Sequence, residues 1–221
     1  MKKVDLTAEQ KASFDKIADE TLEKTISILA DKASFKEEKK DGPINFYTRS
    51  EKGSSFSQVL SSTSIPVPVE RVLEELKKVE IIDPSMDKKL RDDTLYQELY
   101  VLDESDSFHD GFVYCALDTP TRLVSKRDFL MYRKHYERDG VHYFVHVSVD
   151  YQGVRPVTKE YVRGKILLQI DILDADPENE GAARLRFLVH ADPAGSIPAW
   201  VYNMTAISQG YAVKKVRDRL V

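Results

Sequence analysis

The C-terminal segment constrains the fold of this chain most, because a strand pattern that ends near residue 191 leads directly into an amphipathic helix. Pro193 and Gly195 interrupt a β ladder, and Pro198 presets a helical φ angle for a first turn. Trp200, the one tryptophan of the chain, follows at once. Apolar residues then recur mostly at steps of three and four: Val201, Met204, Ile207, Tyr211, Val216 and Leu220. The pattern predicts a helix over residues 198–220, which either closes a core or acts as a lid.

Nine strands are predicted before this helix from the alternation of apolar and polar residues. Asp139-Gly140 marks one tight hairpin, because a type I′ turn needs positive φ at two adjacent positions. The predicted strands cover residues 35–40, 44–50, 55–65, 94–102, 111–117, 129–138, 141–151, 161–173 and 183–191.

Helices are predicted on either side of the first three strands. An N-terminal helix covers residues 7–32, where Thr7 and Gln10 fit a capping box. Two short helices begin near Pro68 and Asp83. The fold class is therefore α+β, with a curved nine-stranded antiparallel sheet wrapped around the C-terminal helix in a single domain, residues 1–221.

Charge argues against nucleic acid as a partner, since 33 basic and 37 acidic residues give a net charge of −4 without a dense basic patch. No apolar stretch reaches the roughly 18 residues that span a bilayer, and the N-terminus lacks an apolar signal core. Cys115 is the single cysteine, so no intramolecular disulfide can form. These features predict a soluble cytoplasmic protein.

Familiar catalytic motifs are missing: G-x-S-x-G, the phosphate-binding G-x-x-x-x-G-K-S/T and G-x-G-x-x-G. His142 and His146 have the spacing of a helical zinc pair but lie in a strand pattern, where four residues span about 13 Å. We therefore predict no catalytic residue, metal or cofactor, while a triad assembled in space stays open.

Four segments together resemble the START family, the lipid transfer domains related to the steroidogenic acute regulatory protein. They are VSKRDF at 124–129, GVRP at 153–156, YVRG at 161–164 and the junction at 192–200. The resemblance covers about residues 44–221. It implies a helix-grip fold in which the sheet curls around the last helix and leaves one hydrophobic tunnel for one lipid.

The resemblance also implies site residues. Arg133 falls where several family members carry a cavity arginine that meets a polar headgroup, although Arg133 could equally point to solvent. Tyr114 stands where sterol-binding relatives place an acidic residue, which departs from the sterol-type pair. The implied tunnel lining, for which ordinary core packing is the alternative, consists of Phe112, Met131, Val145, Val147, Ile166, Leu168, Leu185, Phe187, Met204 and Ile207.

The implied function is transfer of one lipid, a phospholipid, sterol or related molecule, between membranes. The gate that would touch the membrane transiently consists of Leu123, Val124, Ile197, Trp200 and Val201. A protein partner is unknown. Two alternatives remain: a lipid sensor that does not transfer, and an enzyme on the same fold that acts on a hydrophobic substrate. The enzyme needs an acid or base in the cavity, and it would be favoured if His146, His190 or Asp171 faced the cavity beside Arg133 with a perturbed pKa.

Overall fold

The computed structural model describes residues 1–83, 85–86, 94–118 and 124–221. Its first helix, α1, is Ala8–Ala30. The Thr7 hydroxyl accepts a hydrogen bond from the Gln10 backbone N–H, while the Gln10 side chain accepts one from the Thr7 N–H. The predicted capping box and N-terminal helix are therefore confirmed.

The strands confirm the predicted nine-stranded antiparallel sheet. The bounds are β1 Lys2–Lys3, β2 Lys36–Asp41, β3 Ile44–Arg49, β4 Gln58–Ile65, β5 Thr94–Val101, β6 Gly111–Leu117, β7 Arg127–Arg138, β8 Val141–Ser148, β9 Val162–Arg163, β10 Lys165–Ala175 and β11 Ala183–Asp192. Nine long strands in the described part of the chain follow the spatial order β5-β6-β7-β8-β10-β11-β4-β3-β2, and each long pair is antiparallel. The two-residue strands β1 and β9 add parallel pairs at β5 and β7.

The β7–β8 hairpin has the predicted turn chemistry. Asp139 and Gly140 both have positive φ, at 51° and 74°. This is the type I′ requirement, so that prediction is confirmed.

The C-terminal helix is confirmed but contains a tighter turn. It consists of α3 Ala199–Ala206, a 3₁₀ turn Ile207–Tyr211 and α4 Ala212–Asp218. Gly210, in the 3₁₀ turn, lies against the sheet, where an added Cβ would come 3.0 Å from the Phe46 ring and 3.2 Å from the Ser61 Cβ. The missing side chain therefore allows the turn to pack closely on β3 and β4.

The predicted short helix near Pro68 is α2, Val69–Lys77. The helix predicted to begin near Asp83 falls mainly outside the described residues. Within the described ranges, no helix has the length and apolar character that crossing a bilayer requires.

The two faces of the sheet carry separate cores. On the outer face, α1 packs its buried residues Phe14, Ala18 and Leu22 against β6, β7, β8 and β10. On the inner face, α2, α3, the 3₁₀ turn and α4 cover the curved sheet. Both faces are thus buried over most strands.

Candidate functional site

Cross-strand pairing shows which predicted lining residues share a face, because directly opposed residues project to the same side of a sheet. Arg133 is opposite His146, and Phe187 is opposite Asp171. The inner face, with the helix that covers it, holds these predicted lining residues: Met131, Arg133, Ile166, Leu185, Phe187 and Ile207.

The predicted inward orientation is wrong for five residues, which project to the outer face: Phe112, Tyr114, Val145, Val147 and Leu168. Phe112 packs edge-on against Phe14 of α1, with ring centroids 5.5 Å apart. The Tyr114 hydroxyl donates to the Asp128 carboxylate at 3.1 Å, so Tyr114 does not face Arg133. Both faces of these strands are buried, so apolar residues occupy both sides. The sequence therefore lacks the alternation of apolar and polar residues that would have distinguished inner-face from outer-face residues.

Met204 also differs from its predicted place, because 75% of its surface is exposed on α3. The face of α3 that meets the protein instead carries Ala206 and Tyr202. Met204 therefore does not close the inner core.

The inner face carries two apolar clusters with polar residues between them. One cluster includes Phe46, Leu185 and Phe187, and the other includes Leu99, Met131 and Ile166. Tyr202 of α3 packs against both. We refer to four side chains on β7, β8 and β10 as the polar row: Arg133, His146, Gln169 and Asp171.

The inner face is less tightly covered than the outer face in the middle of β10, at Gln169 and Asp171. Gln169 and Asp171 keep part of their surface accessible, although this strand is central in the sheet. Their outer-face neighbours Leu168, Ile170 and Ile172 are each 0% exposed. The side chains of Gln169 and Asp171 are therefore the part of the polar row that is partly accessible.

Arg133 is buried, with 2% of its surface exposed, which excludes the solvent-facing alternative. Its Nη1 donates to the carbonyl oxygens of Phe108 and His109, the latter at 3.2 Å. Its Nη2 donates to the Leu76 carbonyl at 3.3 Å, and its guanidinium lies 5.0 Å from the centre of the Phe144 ring. Arg133 thus fastens the β5–β6 loop and the end of α2 to the sheet.

His146 lies beside Arg133 as a neutral imidazole. Burial, together with the Arg133 charge, lowers the pKa of His146 to about 3. Its Nδ1 is buried and has no hydrogen-bond partner among the described residues. An unpaired polar atom of this kind costs free energy unless a ligand or water reaches it.

Two carboxyl groups near Arg133 hold protons more tightly than usual. Burial raises the pKa of Asp171 to about 7, although the Arg133 charge opposes this. Burial also raises the pKa of Asp110 to about 6, against the hydrogen bond that its carboxylate accepts from the His135 N–H at 2.8 Å. Asp171 can therefore gain or lose a proton near neutral pH.

Arg127 fastens the hinge that precedes α3. Its Nε donates to the Pro193 carbonyl at 3.2 Å and its Nη2 to the Ala194 carbonyl at 3.3 Å. Its Nη1 donates to the Ser125 carbonyl. The Arg127 guanidinium thus binds three backbone carbonyls and joins the start of β7 to the start of the C-terminal helix.

The remaining family-like segments form ion pairs at the sheet margin. Arg163 donates to Asp128 twice, at 2.9 and 2.8 Å, and Arg155 donates to Glu98 at 2.7 Å. Burial raises the pKa of Glu98, but hydrogen bonds from Lys2, Tyr100, Tyr96 and Arg155 lower it to about 2. These contacts hold the segment between β8 and β10 against the outer face.

Of the predicted gate residues, Trp200 and Val201 lie in an exposed apolar patch on α3. With Met204 they are 67%, 36% and 75% exposed, respectively. Val124 and Ile197 are partly buried, and Leu123 lies outside the described residues. These three side chains of α3 therefore leave apolar surface exposed to solvent.

The polar row contains residues that the sequence indicated only in part. His146 and Asp171 share the inner face with Arg133, whereas His190 lies on the outer face, where its Nε2 is 3.0 Å from the Ser54 hydroxyl. Gln169 was missed, although its place two residues before Asp171 was a usable signal. Within the ranges given above, no group of three or more potential metal ligands is gathered.

Comparisons with known proteins agree with this architecture. The START domain family model matches residues 41–215. Human StAR-related lipid transfer protein 5 superposes with a TM-score of 0.72 at 16% identity, covering 95% of this chain and 97% of that one. Human STARD10 gives 0.69 at 16% identity, covering 89% and 76%.

A bacterial structure is also similar. The StAR-related lipid transfer protein fragment from Xanthomonas axonopodis gives a TM-score of 0.65 at 20% identity, covering 85% of this chain and 98% of that one. At these identities the solved structures show the fold alone. A sequence comparison with curated proteins finds no significant match.

Proposed function

Because this chain belongs to the START domain family, we propose that it binds one lipid between the inner face and the C-terminal helix and carries it between membranes. In this proposal it is a cytoplasmic carrier that touches membranes transiently. The observation that carries the proposal is the inner face itself, where two apolar clusters lie on either side of a partly accessible polar row.

This arrangement suits an amphipathic ligand. An acyl chain or sterol body gains about 0.8 kcal/mol for each methylene that it buries, so apolar walls can supply most of the affinity. A polar headgroup would meet the polar row, where the unpaired His146 Nδ1 needs a partner. The predicted lining residues on the inner face remain candidates for lipid contact.

Membrane contact is assigned to the exposed patch of Trp200, Val201 and Met204. An indole ring prefers the boundary between headgroups and acyl chains, because it combines an apolar body with a polar N–H. The patch lies just after the hinge that Arg127 fastens. Insertion of the patch into a bilayer would therefore act on the helix that covers the lipid.

Bound lipid is the first test. The purified protein is incubated with liposomes of mixed lipids, separated, and weighed by native mass spectrometry, and its lipids are then extracted and identified. A stoichiometric lipid is expected. A mass equal to that of the polypeptide alone, after incubation with each liposome type, would contradict the proposed function.

Transfer is the second test. Trp200→Ser should slow lipid transfer between vesicles at least about tenfold, because it removes the largest side chain of the patch, while binding of lipid at equilibrium changes little. Leu167→Ser is the matched control, since Leu167 is 41% exposed on β10, outside the patch. Equal slowing by both substitutions would argue against membrane contact through α3.

An enzyme acting on a hydrophobic substrate is the second candidate, and one observation favours it. Asp171 lies on the inner face near Arg133 with a pKa of about 7, which suits a general acid or base at neutral pH. Conversion of a bound lipid to a product of different mass, abolished by Asp171→Asn, would support the enzyme. Recovery of unchanged lipid supports the carrier.

A further inference from the structure

The two halves of the C-terminal helix are held to the rest of the protein unequally. Val213 of α4 is completely buried. Arg219, directly after α4, donates to Glu75 of α2 at 3.2 Å and to Glu80 at 3.1 Å. By contrast, α3 has one buried residue, Ala206, and its other side carries the exposed patch. The second half is therefore fixed to α2 and the sheet, whereas the first half has little buried contact.

The 3₁₀ turn between the two halves is anchored at its end. The Lys39 Nζ donates to the Tyr211 hydroxyl at 2.7 Å, and the Tyr211 ring lies 5.0 Å from the Phe46 ring. A 3₁₀ turn within a helix has weaker hydrogen-bond geometry than the α-helix around it, and such a turn often marks a bend. The backbone at residues 207–209 can therefore bend while α4 stays in place. Since the hinge that Arg127 fastens precedes α3, α3 lies between two places where the chain can bend.

One side chain fastens α3 to the loop between β3 and β4. The Asn203 Oδ1 accepts a hydrogen bond from the Ser57 backbone N–H at 2.9 Å, and its Nδ2 donates to the Ser55 carbonyl at 3.0 Å. Between these two residues, Phe56 packs edge-on against Tyr202, with ring centroids 5.1 Å apart. We refer to these contacts of Asn203 and Tyr202 with the loop as the latch. Both of its hydrogen bonds come from one amide group, so one substitution removes them.

The loop that receives Asn203 has anchors of its own. The Ser54 Oγ accepts from the Phe56 N–H at 3.1 Å and lies 3.0 Å from the His190 Nε2 of β11. Glu51, near the start of the loop, forms an ion pair with Lys24 of α1 at 3.0 Å. These contacts do not involve the C-terminal helix. The loop can therefore keep its place when α3 moves.

We propose that α3 alone is the moving part of the C-terminal helix, that it pivots at the 3₁₀ turn, and that the latch on the β3–β4 loop sets how often it opens. Opening would uncover the inner face, and in this consequence the inference rests on the proposed lipid-binding function. Loss of the latch destabilises the closed state equally with and without lipid. Lipid uptake and release should then accelerate by the same factor, while the affinity stays the same.

Hydrogen exchange of the full chain, followed by mass spectrometry, tests the latch without a ligand. Asn203→Ala should raise exchange at residues 201–206 at least about tenfold, because two hydrogen bonds of the closed state are lost. Residues 212–218 should keep their native rates. Thr205→Ala is the matched control on α3, since the exposed Thr205 hydroxyl donates within the helix, to the Tyr202 carbonyl at 3.0 Å. It should leave exchange at residues 201–206 unchanged.

Arg219→Ala tests whether the two halves move separately. It removes the contacts of α4 with Glu75 and Glu80, so exchange should rise at residues 212–218 and stay unchanged at residues 201–206. A parallel rise of both halves in Asn203→Ala and in Arg219→Ala would show that the helix moves as one body. That result would overturn the proposal, and so would unchanged exchange at residues 201–206 in Asn203→Ala.

Lipid kinetics test the consequence for transfer. Vesicles that contain a fluorescent phosphatidylcholine or dehydroergosterol are mixed with the protein in a stopped-flow instrument, and uptake and release are timed. Asn203→Ala should accelerate both at least about tenfold and change the dissociation constant less than about twofold. A changed affinity with unchanged rates would overturn the role of the latch in opening. If exchange responds as expected but the native protein takes up neither probe, the proposed function fails and the latch stands.

Discussion

Asp171→Asn should change how the stability of this protein depends on pH. Burial raises the pKa of Asp171 from 3.8 to about 7, so the folded state binds this proton more tightly than the unfolded state does. Protonation therefore stabilises the fold, and this stabilisation is lost as the pH rises through about 7. The amide has no proton to lose and should lack this dependence.

The magnitude follows from the shift. Between pH 4 and pH 7 the folded group is mostly protonated and the unfolded group mostly ionised, so the free energy of unfolding falls by about 1.4 kcal/mol per pH unit. From pH 5 to pH 8, Asp171 contributes a loss of at most about 2.5 kcal/mol in the native protein. Between pH 5 and pH 8, the free energy of unfolding of Asp171→Asn should therefore rise relative to that of the native protein by up to about 2.5 kcal/mol.

Urea denaturation at pH 5, 6, 7 and 8, followed by circular dichroism, measures the effect. Asp110, with its own raised pKa, titrates in both proteins, so the difference between them isolates Asp171. Asp174→Asn is the matched control on the same strand, because the Asp174 carboxylate accepts from Arg184 at 3.1 Å and its loss should destabilise the protein at pH 8. Parallel stability curves for the native protein and Asp171→Asn would refute the assignment of a raised pKa to Asp171.

Three further predictions test the hinge, the sheet and the margin network. Arg127→Lys should lower the free energy of unfolding by about 1–2 kcal/mol and speed hydrogen exchange at residues 192–198, because a lysine ammonium cannot reach all three carbonyls that Arg127 binds. Unchanged hydrogen exchange at these residues would contradict the role of Arg127 in fastening the hinge. Gly111→Ala should abolish soluble folded protein, because a Cβ at this position collides with the Tyr100 carbonyl. Gly181→Ala should lower the free energy of unfolding by only about 1 kcal/mol, because Gly181 has open space around it and a φ of +76°. Similar thermal midpoints for the two variants would count against the close approach of β5 and β6. Arg155→Leu should move acid unfolding to higher pH. The lowered pKa of Glu98 gives stability that is present above about pH 4.5 and is lost as the pH falls toward about 2, and Arg155 contributes to this lowering. An unchanged pH midpoint of acid unfolding would show that the Arg155–Glu98 pair contributes nothing to stability.

The exposed apolar patch and the inner core are formed by opposite sides of one helix. Tyr202 and Ala206 of α3 pack inward, while Trp200 and Met204 project to solvent. The sequence pattern placed Val201, Met204 and Ile207 on one stripe, because hydrophobicity alone does not distinguish a core from a contact surface. Only the packed helix separates the two roles.

Local signals in the sequence were sufficient for the elements of the fold. The capping box at Thr7 and the turn at Asp139-Gly140 fix backbone geometry through contacts of a few residues, and strand β6 was bounded at its observed residues. Nine antiparallel strands and a covering C-terminal helix followed from periodicity and turn chemistry. Such signals act over short stretches of chain, so the sequence alone carries them.

The composition of the candidate site was decided by tertiary structure. A strand such as β6 is apolar on both sides because helices cover both faces of the sheet, so its alternation could not show that Phe112 and Tyr114 face α1. The β bulge between Ile166 and Leu168 likewise places Ile166 on the inner face and Leu168 on the outer face, although the two residues are two positions apart in one strand. The polar row forms only when strands β7, β8 and β10 pair in register, because this register places Arg133 opposite His146 and His146 opposite Gln169. Burial then shifts the pKa of Asp171, because the free energy of a charge depends on the surrounding protein rather than on its sequence neighbours.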